Sequence, residues 1–92
     1  MADARAKFDL GQLVATPNAL ANLNPQDVAA AVRHHLTGDW GELDEHDRRA
    51  NERALTDGSR LFSAYRDRGG TKFWVITESD RSATTVLLPE DY

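Results

Sequence analysis

The order of apolar and polar positions near the N-terminus predicts one short strand and one short helix. An apolar stretch from Gln12 to Ala15 follows Gly11 and ends at Thr16-Pro17. Threonine is a favourable N-cap and proline is favoured at the first helical position, so a helix is expected to begin there. The pattern therefore predicts a strand at Gln12 to Ala15 and a two-turn helix at Pro17 to Leu23.

Two further helices are predicted in the middle of the chain. Asn24-Pro25 repeats the start signal, and apolar residues then recur at helical spacing up to Gly38, which suits a left-handed C-terminal position. Asp44 can cap the next helix and Gly58 can end it. We expect one helix from Pro25 to Thr37 and another between Asp44 and Gly58, joined as an αα-hairpin.

The C-terminal third of the chain changes to the pattern of strands. Its three segments, rich in aromatic and β-branched residues, are Arg60 to Arg66, Lys72 to Thr77 and Thr84 to Leu88. Short polar and glycine-rich turns separate them, which predicts a three-stranded antiparallel meander. The expected fold class is α+β, with an N-terminal short strand and helices packed on this C-terminal meander.

Large apolar side chains on both faces of the middle segment mark it as the central strand. Phe73, Val75 and Thr77 alternate with Trp74 and Ile76. One face is expected to meet the helices, whereas the other, partly covered by Trp74, is a candidate surface for self-association. The sequence leaves monomer and homodimer open.

Composition indicates one globular domain over residues 1–92. Apolar residues make up 40% of the chain and charged residues 28%. Residues 1–9 are mixed in charge and contain no apolar signal segment, so no ordinary secretion signal is expected. We expect these residues to form a disordered N-terminal tail. Because the chain has no cysteine and no run of about 20 apolar residues, we expect a cytoplasmic protein without a membrane partner.

Charge disfavours nucleic acid as the main partner. The net charge is −4, whereas nucleic-acid affinity depends on clustered cations. One local basic group exists in the strand region, consisting of Arg60, Arg66, Arg68, Lys72 and Arg81. Such charges usually lie on the solvated side of a sheet, and nucleic-acid contact there is the alternative interpretation.

Two polar residues, His35 and Asn51, fall on the apolar arcs of their predicted helices. A structural account is that they form hydrogen bonds across the hairpin or hold the turn from Gly38 to Gly41. The alternative is a small pocket in which a carboxylate and an imidazole could do acid–base work, formed by His35, Asp39, Trp40 and Asn51. No nucleophile or phosphate loop stands at motif spacing, so no catalytic residue is assigned.

Neither a metal nor a cofactor is predicted from the histidines. His34 and His35 are adjacent and diverge by about 100° on a helix, so both cannot bind one ion. His46 has no histidine four residues away, and the HExxH pattern is absent.

The loop between the last two predicted strands is dense in hydroxyl and charged groups. A polar hairpin loop stabilised by Asx and Ser/Thr turns explains this composition. The functional alternative is a recognition surface displayed on a rigid sheet, with Glu78, Asp80 and Arg81 as its charged contacts.

Several stretches of the chain resemble a family of small bacterial proteins of plasmids and integrated elements, labelled plasmid-related proteins. The stretches are Leu13-Val14-Ala15-Thr16-Pro17, Gly38-Asp39-Trp40-Gly41, Asn51-Glu52-Arg53-Ala54-Leu55, Trp74-Val75-Ile76-Thr77-Glu78-Ser79-Asp80-Arg81-Ser82 and Leu87-Leu88-Pro89. They keep their order over nearly the whole chain. The resemblance implies a bacterial mobile-element setting and brings no established activity.

Two functions from different classes fit the sequence. The first is a non-enzymatic binding or regulatory module of a bacterial mobile element, with a protein partner that it contacts through the loop between the last two predicted strands and the corner from Gly38 to Gly41. The second is a small RelE/ParE-like toxin acting on RNA or a host protein, an analogy with the order of elements in that group. Those toxins are usually basic, which this chain is not. The substrate face of such a toxin would be formed by Arg60, Arg66, Lys72 and Arg81.

Overall fold

Each helix begins where a polar side chain caps it. The computed structural model describes residues 5–92, and the side chains of Thr16, Asn24 and Asp44 accept hydrogen bonds from amides in the first helical turns. The helices are α1 (Pro17–Asn22), α2 (Pro25–Leu36) and α3 (Glu45–Asp57). The predicted helices are confirmed, and the predicted ends of α1 and α2 overshoot by one residue. Within the described residues, none of these helices is long and apolar enough to cross a membrane.

The strands form one mixed sheet. They are β1 (Gln12–Ala15), β2 (Leu61–Arg66), β3 (Lys72–Thr77) and β4 (Ala83–Leu87), and a 3₁₀ turn follows at Pro89–Asp91. The strand order is β1-β4-β3-β2, so β3 is internal as predicted. β2, β3 and β4 form the antiparallel meander, whereas β1 lies parallel to β4. The fold class is α+β.

Each helix packs against a different strand of the sheet. α1 contacts β4, α2 contacts β3 and α3 contacts β2. One buried apolar cluster joins α1, α2 and the sheet and consists of Ala19, Leu23, Ala31, Val32, Phe73, Val75, Val86 and Leu88. A second joins α3 to the start of β2 and consists of Trp40, Ala54 and Leu61. This shared burial positions the helices, and it leaves the opposite face of the sheet without helices.

The segment before β1 packs on the helical side. The backbone amide of Lys7 donates to the carbonyl of Leu36 at 2.9 Å, and the ring of Phe8 stacks on Trp40 with centroids 6.4 Å apart. Residues 1–4 of the expected disordered tail lie outside the described residues. Residues 7 and 8 differ from that expectation because an aromatic side chain reaches the second apolar cluster.

The outer edge of β2 is closed by two devices. The side-chain amide of Asn51 donates to the Phe62 carbonyl at 2.6 Å and accepts from the Phe62 amide at 3.1 Å. The backbone of Ala64 then bonds the segment around Gly41, which lies beside β2 as an isolated bridge. Gly41 has φ +74°, and a Cβ atom there would lie 2.0 Å from the Ala64 carbonyl oxygen, so only glycine fits this approach.

Candidate functional site

The imidazole of His35 is fully buried inside a chain of side-chain hydrogen bonds. Its Nδ1 lies 2.5 Å from Ser63 Oγ and its Nε2 lies 2.9 Å from Thr77 Oγ1. Thr77 Oγ1 is 2.8 Å from Thr84 Oγ1, and the Thr84 hydroxyl donates to the Leu10 carbonyl at 2.7 Å. We call this chain of groups the His35 network; it joins α2 to β2, β3, β4 and the segment before β1.

The direction of each bond in the His35 network follows from its carbonyl end. A carbonyl only accepts, so the Thr84 proton goes to Leu10 and Thr84 Oγ1 must accept from Thr77. Thr77 Oγ1 therefore accepts from Nε2–H of His35, and Ser63 donates to Nδ1. Burial, with a smaller contribution from the charge of Arg81, lowers the pKa of His35 to about 4. The imidazole is neutral near pH 7 and has no solvent access.

The other members of the predicted His35 pocket are separated by burial and by their hydrogen bonds. Trp40 is 2% exposed and its Nε1–H donates to Glu52 at 2.8 Å, while Asn51 is engaged by the β2 backbone. Asp39 lies on the surface, 3.2 Å from the Nδ1 of His34. The partners of His35 and Asn51 are strands of the sheet rather than groups across the hairpin. The structure therefore gives His35, Trp40 and Asn51 roles in packing.

Arg81 in the loop between β3 and β4 turns inward. It has φ 60°, the left-handed conformation that is uncommon outside glycine. Its guanidinium donates to the carbonyls of Ala54 at 3.0 Å and Ser59 at 2.7 Å, and lies 5.9 Å from the Phe8 ring centroid. A cation at the Ala54 carbonyl, in the last turn of α3, also complements the helix dipole. Arg81 therefore ties the loop to the end of α3.

The two acidic residues of the same loop differ in their surroundings. Asp80 accepts a hydrogen bond from the Ser82 amide at 3.0 Å, and the bonds from Ser82 hold the pKa of that carboxyl below its usual range. Glu78 lies 4.0 Å from the guanidinium of Arg60. The loop is thus the structured polar turn that its composition predicts.

Most of the predicted basic group is neutralised within the chain. Its ion pairs are Arg60–Glu78 at 4.0 Å, Arg66–Glu42 at 3.1 Å and Arg68–Asp27 at 3.0 Å. Bonds from Arg68 also hold the pKa of Asp27 below its usual range. Within residues 5–92, Lys72 and Arg81 form no ion pair, and Arg81 donates to backbone carbonyls instead. Three of the five cations are thus matched by a carboxylate of the same chain.

An aromatic surface lies on the side of the sheet away from the helices. Phe62 and Trp74 meet edge to face with ring centroids 5.1 Å apart, and Trp74 and Tyr92 do so at 5.8 Å. The guanidinium of Arg60 lies 5.7 Å from the Tyr92 centroid. With Ile76 these residues line a shallow groove of about 350 Å³, which we call the aromatic face. Tyr92 is 72% exposed, so aromatic area remains open to a partner.

Sequence reasoning singled out Trp74 but not its two aromatic neighbours. The alternation of β2 places Phe62 on the face opposite the buried Leu61 and Ser63, as the sequence pattern also indicates, but the pattern does not show that it contacts Trp74. Tyr92 follows Pro89–Asp91 beyond the last strand, where no periodicity assigns a side chain to a face.

One group of potential metal ligands occurs in the part of the chain that the structure describes. The ligand atoms of Asp44, His46 and Asp47 lie within 4.8 Å of one another at the start of α3. Asp44 caps the helix by accepting from the Asp47 amide at 2.8 Å, which accounts for its position. We assign no metal to this group.

No family model, curated protein or solved structure matches the chain.

Proposed function

We propose that the chain is a non-enzymatic binding module of a bacterial mobile element, which engages a protein partner through the aromatic face. The observation that carries this proposal is the exposure of Tyr92 beside the partly exposed Trp74 and Phe62 on a hydrogen-bonded sheet. Aromatic side chains are enriched at protein interfaces and lose little conformational entropy on binding. The bacterial setting rests on the sequence resemblance.

The polar groups that could have served catalysis support a binding role instead. His35 is buried and neutral, and the side chains of Asn51 and Arg81 form hydrogen bonds with backbone groups. Every buried side-chain nitrogen and oxygen in residues 5–92 has a hydrogen-bond partner. Groups held in this way stabilise the fold and give no reactive centre that a substrate could reach.

The rim of the aromatic face suggests the chemistry of the partner. Arg60 lies over Tyr92, and Lys72 lies two residues before Trp74 on β3, so it points to the same side of the sheet. An apolar groove with Lys72 at its rim fits a protein segment with apolar side chains and one flanking carboxylate. A nucleic acid fits less well, because it requires clustered cations, whereas Arg60 is already paired with Glu78 and the net charge is −4.

The test is capture from a bacterial lysate with immobilised wild-type, Tyr92→Ala and Leu20→Ala proteins, with and without nuclease. Tyr92 and Leu20 are both 72% exposed, so Leu20→Ala removes a similarly accessible apolar side chain outside the aromatic face. We expect a protein that survives nuclease treatment, binds wild type and Leu20→Ala, and is lost or weakened at least 10-fold with Tyr92→Ala. Equal capture by all three proteins would rule out the aromatic face.

A second candidate is the small RelE/ParE-like toxin. The observation favouring it is the order of elements, in which a strand and helices precede a three-stranded meander. The pairing of Arg60, Arg66 and Arg81 within the chain makes it the weaker candidate. Induced expression tests it: growth arrest that Lys72→Ala abolishes would support a toxin, and harmless accumulation of wild-type protein would count against one.

A further inference from the structure

The two edges of the sheet differ in their exposed backbone groups. The edge of β2 is closed by Asn51 and by the segment around Gly41. At the other edge, the backbone amides of Gln12 and Thr16 donate to the carbonyls of Ser82 and Val86. The backbone N–H and C=O groups of the even-numbered residues of β1 therefore point towards β4. The backbone groups of Leu13 and Ala15 point the opposite way, where no further strand of residues 5–92 pairs.

The side chains of β1 do not protect this edge. Leu13 is 51% exposed and Val14 39% exposed, and the segment from Leu10 to Thr16 carries no charged residue. Natural proteins blunt exposed edges by keeping the edge strand short, or with lysine, proline, a bulge or a covering segment. β1 is short, with four residues, but its central residues carry none of the other devices, so their outward backbone groups can accept a strand.

We propose that β1 of two copies of this chain pair antiparallel about a two-fold axis, joining two four-stranded sheets into one continuous sheet. With the axis at Val14, the N–H and C=O groups of Leu13 exchange hydrogen bonds with those of Ala15 of the partner subunit, and the reverse pair does the same. Val14 then faces its own symmetry mate as a non-hydrogen-bonded pair, with Cβ atoms about 4.5–5.5 Å apart.

A second copy fits this edge for reasons of charge and closure. An uncharged strand can lie antiparallel to itself without placing like charges opposite each other. Pairing of β1 with β2 of another copy would extend into a fibre, and the closed edge of β2 prevents it. Pairing between two β1 strands uses up both open edges, so assembly stops at the dimer.

The dimer would place the aromatic faces of both subunits on the same side of the continuous sheet. A two-fold axis perpendicular to a continuous sheet keeps equivalent faces together, so the two aromatic faces would form a bivalent surface. The pairing itself involves β1 and not the aromatic face. It therefore goes beyond the proposed function and can be tested separately from it.

The first test uses the absence of cysteine from the chain. A single Val14→Cys substitution places thiols directly across the proposed axis, within reach of a disulfide after small adjustment. Ala29→Cys is the matched control on the exposed part of α2. We expect mild oxidation to convert Val14→Cys into a reducible dimer with at least 10-fold higher yield than Ala29→Cys. Equal yields at the two positions would overturn the proposed pairing.

The second test measures molar mass against concentration by sedimentation equilibrium. We expect a wild-type dimer that Leu13→Lys weakens at least 10-fold, because two ammonium groups would lie near the axis, while Ala29→Lys has no effect. Circular dichroism checks that Leu13→Lys folds; if it does not, the cysteine pair decides. A monomeric wild type, or a dimer that folded Leu13→Lys leaves unchanged, would overturn the proposal. Lysate capture by the aromatic face is scored independently of either result.

Discussion

The His35 network and the aromatic face lie on opposite sides of the same sheet and differ in what they do with their side chains. The network buries polar groups that look functional in the sequence and satisfies each of them internally. The aromatic face exposes apolar groups that would ordinarily belong to a core. Chemical type alone therefore misassigns the two regions, and burial with hydrogen-bond partners distinguishes them.

The largest expected effect separates the two tryptophans, Trp40 packed beside His35 and Trp74 in the aromatic face. Trp40→Ala should cost about 3–5 kcal/mol of unfolding free energy, because it leaves a cavity beside Phe8 and His35. Trp74→Ala should cost about 1–2 kcal/mol, because part of that ring is already in water. Urea denaturation of both variants measures the difference. Equal losses of unfolding free energy would mean that Trp74 is as well packed and as deeply buried as Trp40.

The second effect is a dependence of stability on pH that comes from His35. Its pKa is about 4 in the folded protein and 6.5 in the unfolded chain, so the unfolded chain binds the proton more readily. Stability is fully present above pH 6.5 and falls as pH drops towards 4, with a total loss of about 3 kcal/mol. Unfolding free energy measured from pH 7.5 to 4.5 should show this slope.

Two variants assign that slope to its residue. His35→Gln removes the titrating group, so its stability should change little between pH 7 and 4.5 even if the variant is less stable throughout. His34→Gln changes an exposed histidine on the same helix and leaves His35 in place, so this variant should still lose stability as the pH falls. A slope that survives in His35→Gln would contradict the protonation of His35 as its cause.

The third effect concerns the closed edge of β2. Asn51→Asp keeps the shape of the side chain and the acceptor for the Phe62 amide, but removes the donor to the Phe62 carbonyl. The Phe62 carbonyl would then lie without a donor beside a carboxylate, which should lower the unfolding free energy by about 1–3 kcal/mol. Asn22→Asp, at an exposed asparagine, should cost less than about 0.5 kcal/mol. If the two variants are equally stable, Asn51 does not stabilise the edge.

The sequence specified the elements of this fold because their signals are local. Caps at Thr16, Asn24 and Asp44, and alternation in the three C-terminal strands, each act within a few residues. The inward direction of His35 and Asn51 also followed from helical periodicity. These features could be predicted because they depend only on residues that are close together in the sequence.

Long-range pairing could not be predicted in the same way. The parallel contact of β1 with β4 joins residues about 70 positions apart, and no turn between them marks it. The partners of His35 on β2 and β3 and the inward fold of Arg81 depend on the same tertiary arrangement. The composition of the loop predicted that Arg81 lies on the surface. Composition carries no information on which carbonyls the guanidinium can reach in the folded chain.

The smallest expected effect on stability is also the sharpest test of the aromatic face. Tyr92 is largely exposed at the end of the chain, where it contacts Trp74 and Arg60 at one side of the ring. Tyr92→Ala should change unfolding free energy by less than about 0.5 kcal/mol, as surface substitutions usually do. Acrylamide should quench Trp74 more strongly in this variant, because its edge-to-face neighbour is gone, while Trp40 stays protected. Unchanged quenching would mean that Tyr92 does not cover Trp74 in solution, and the groove that defines the aromatic face would lose one of its walls.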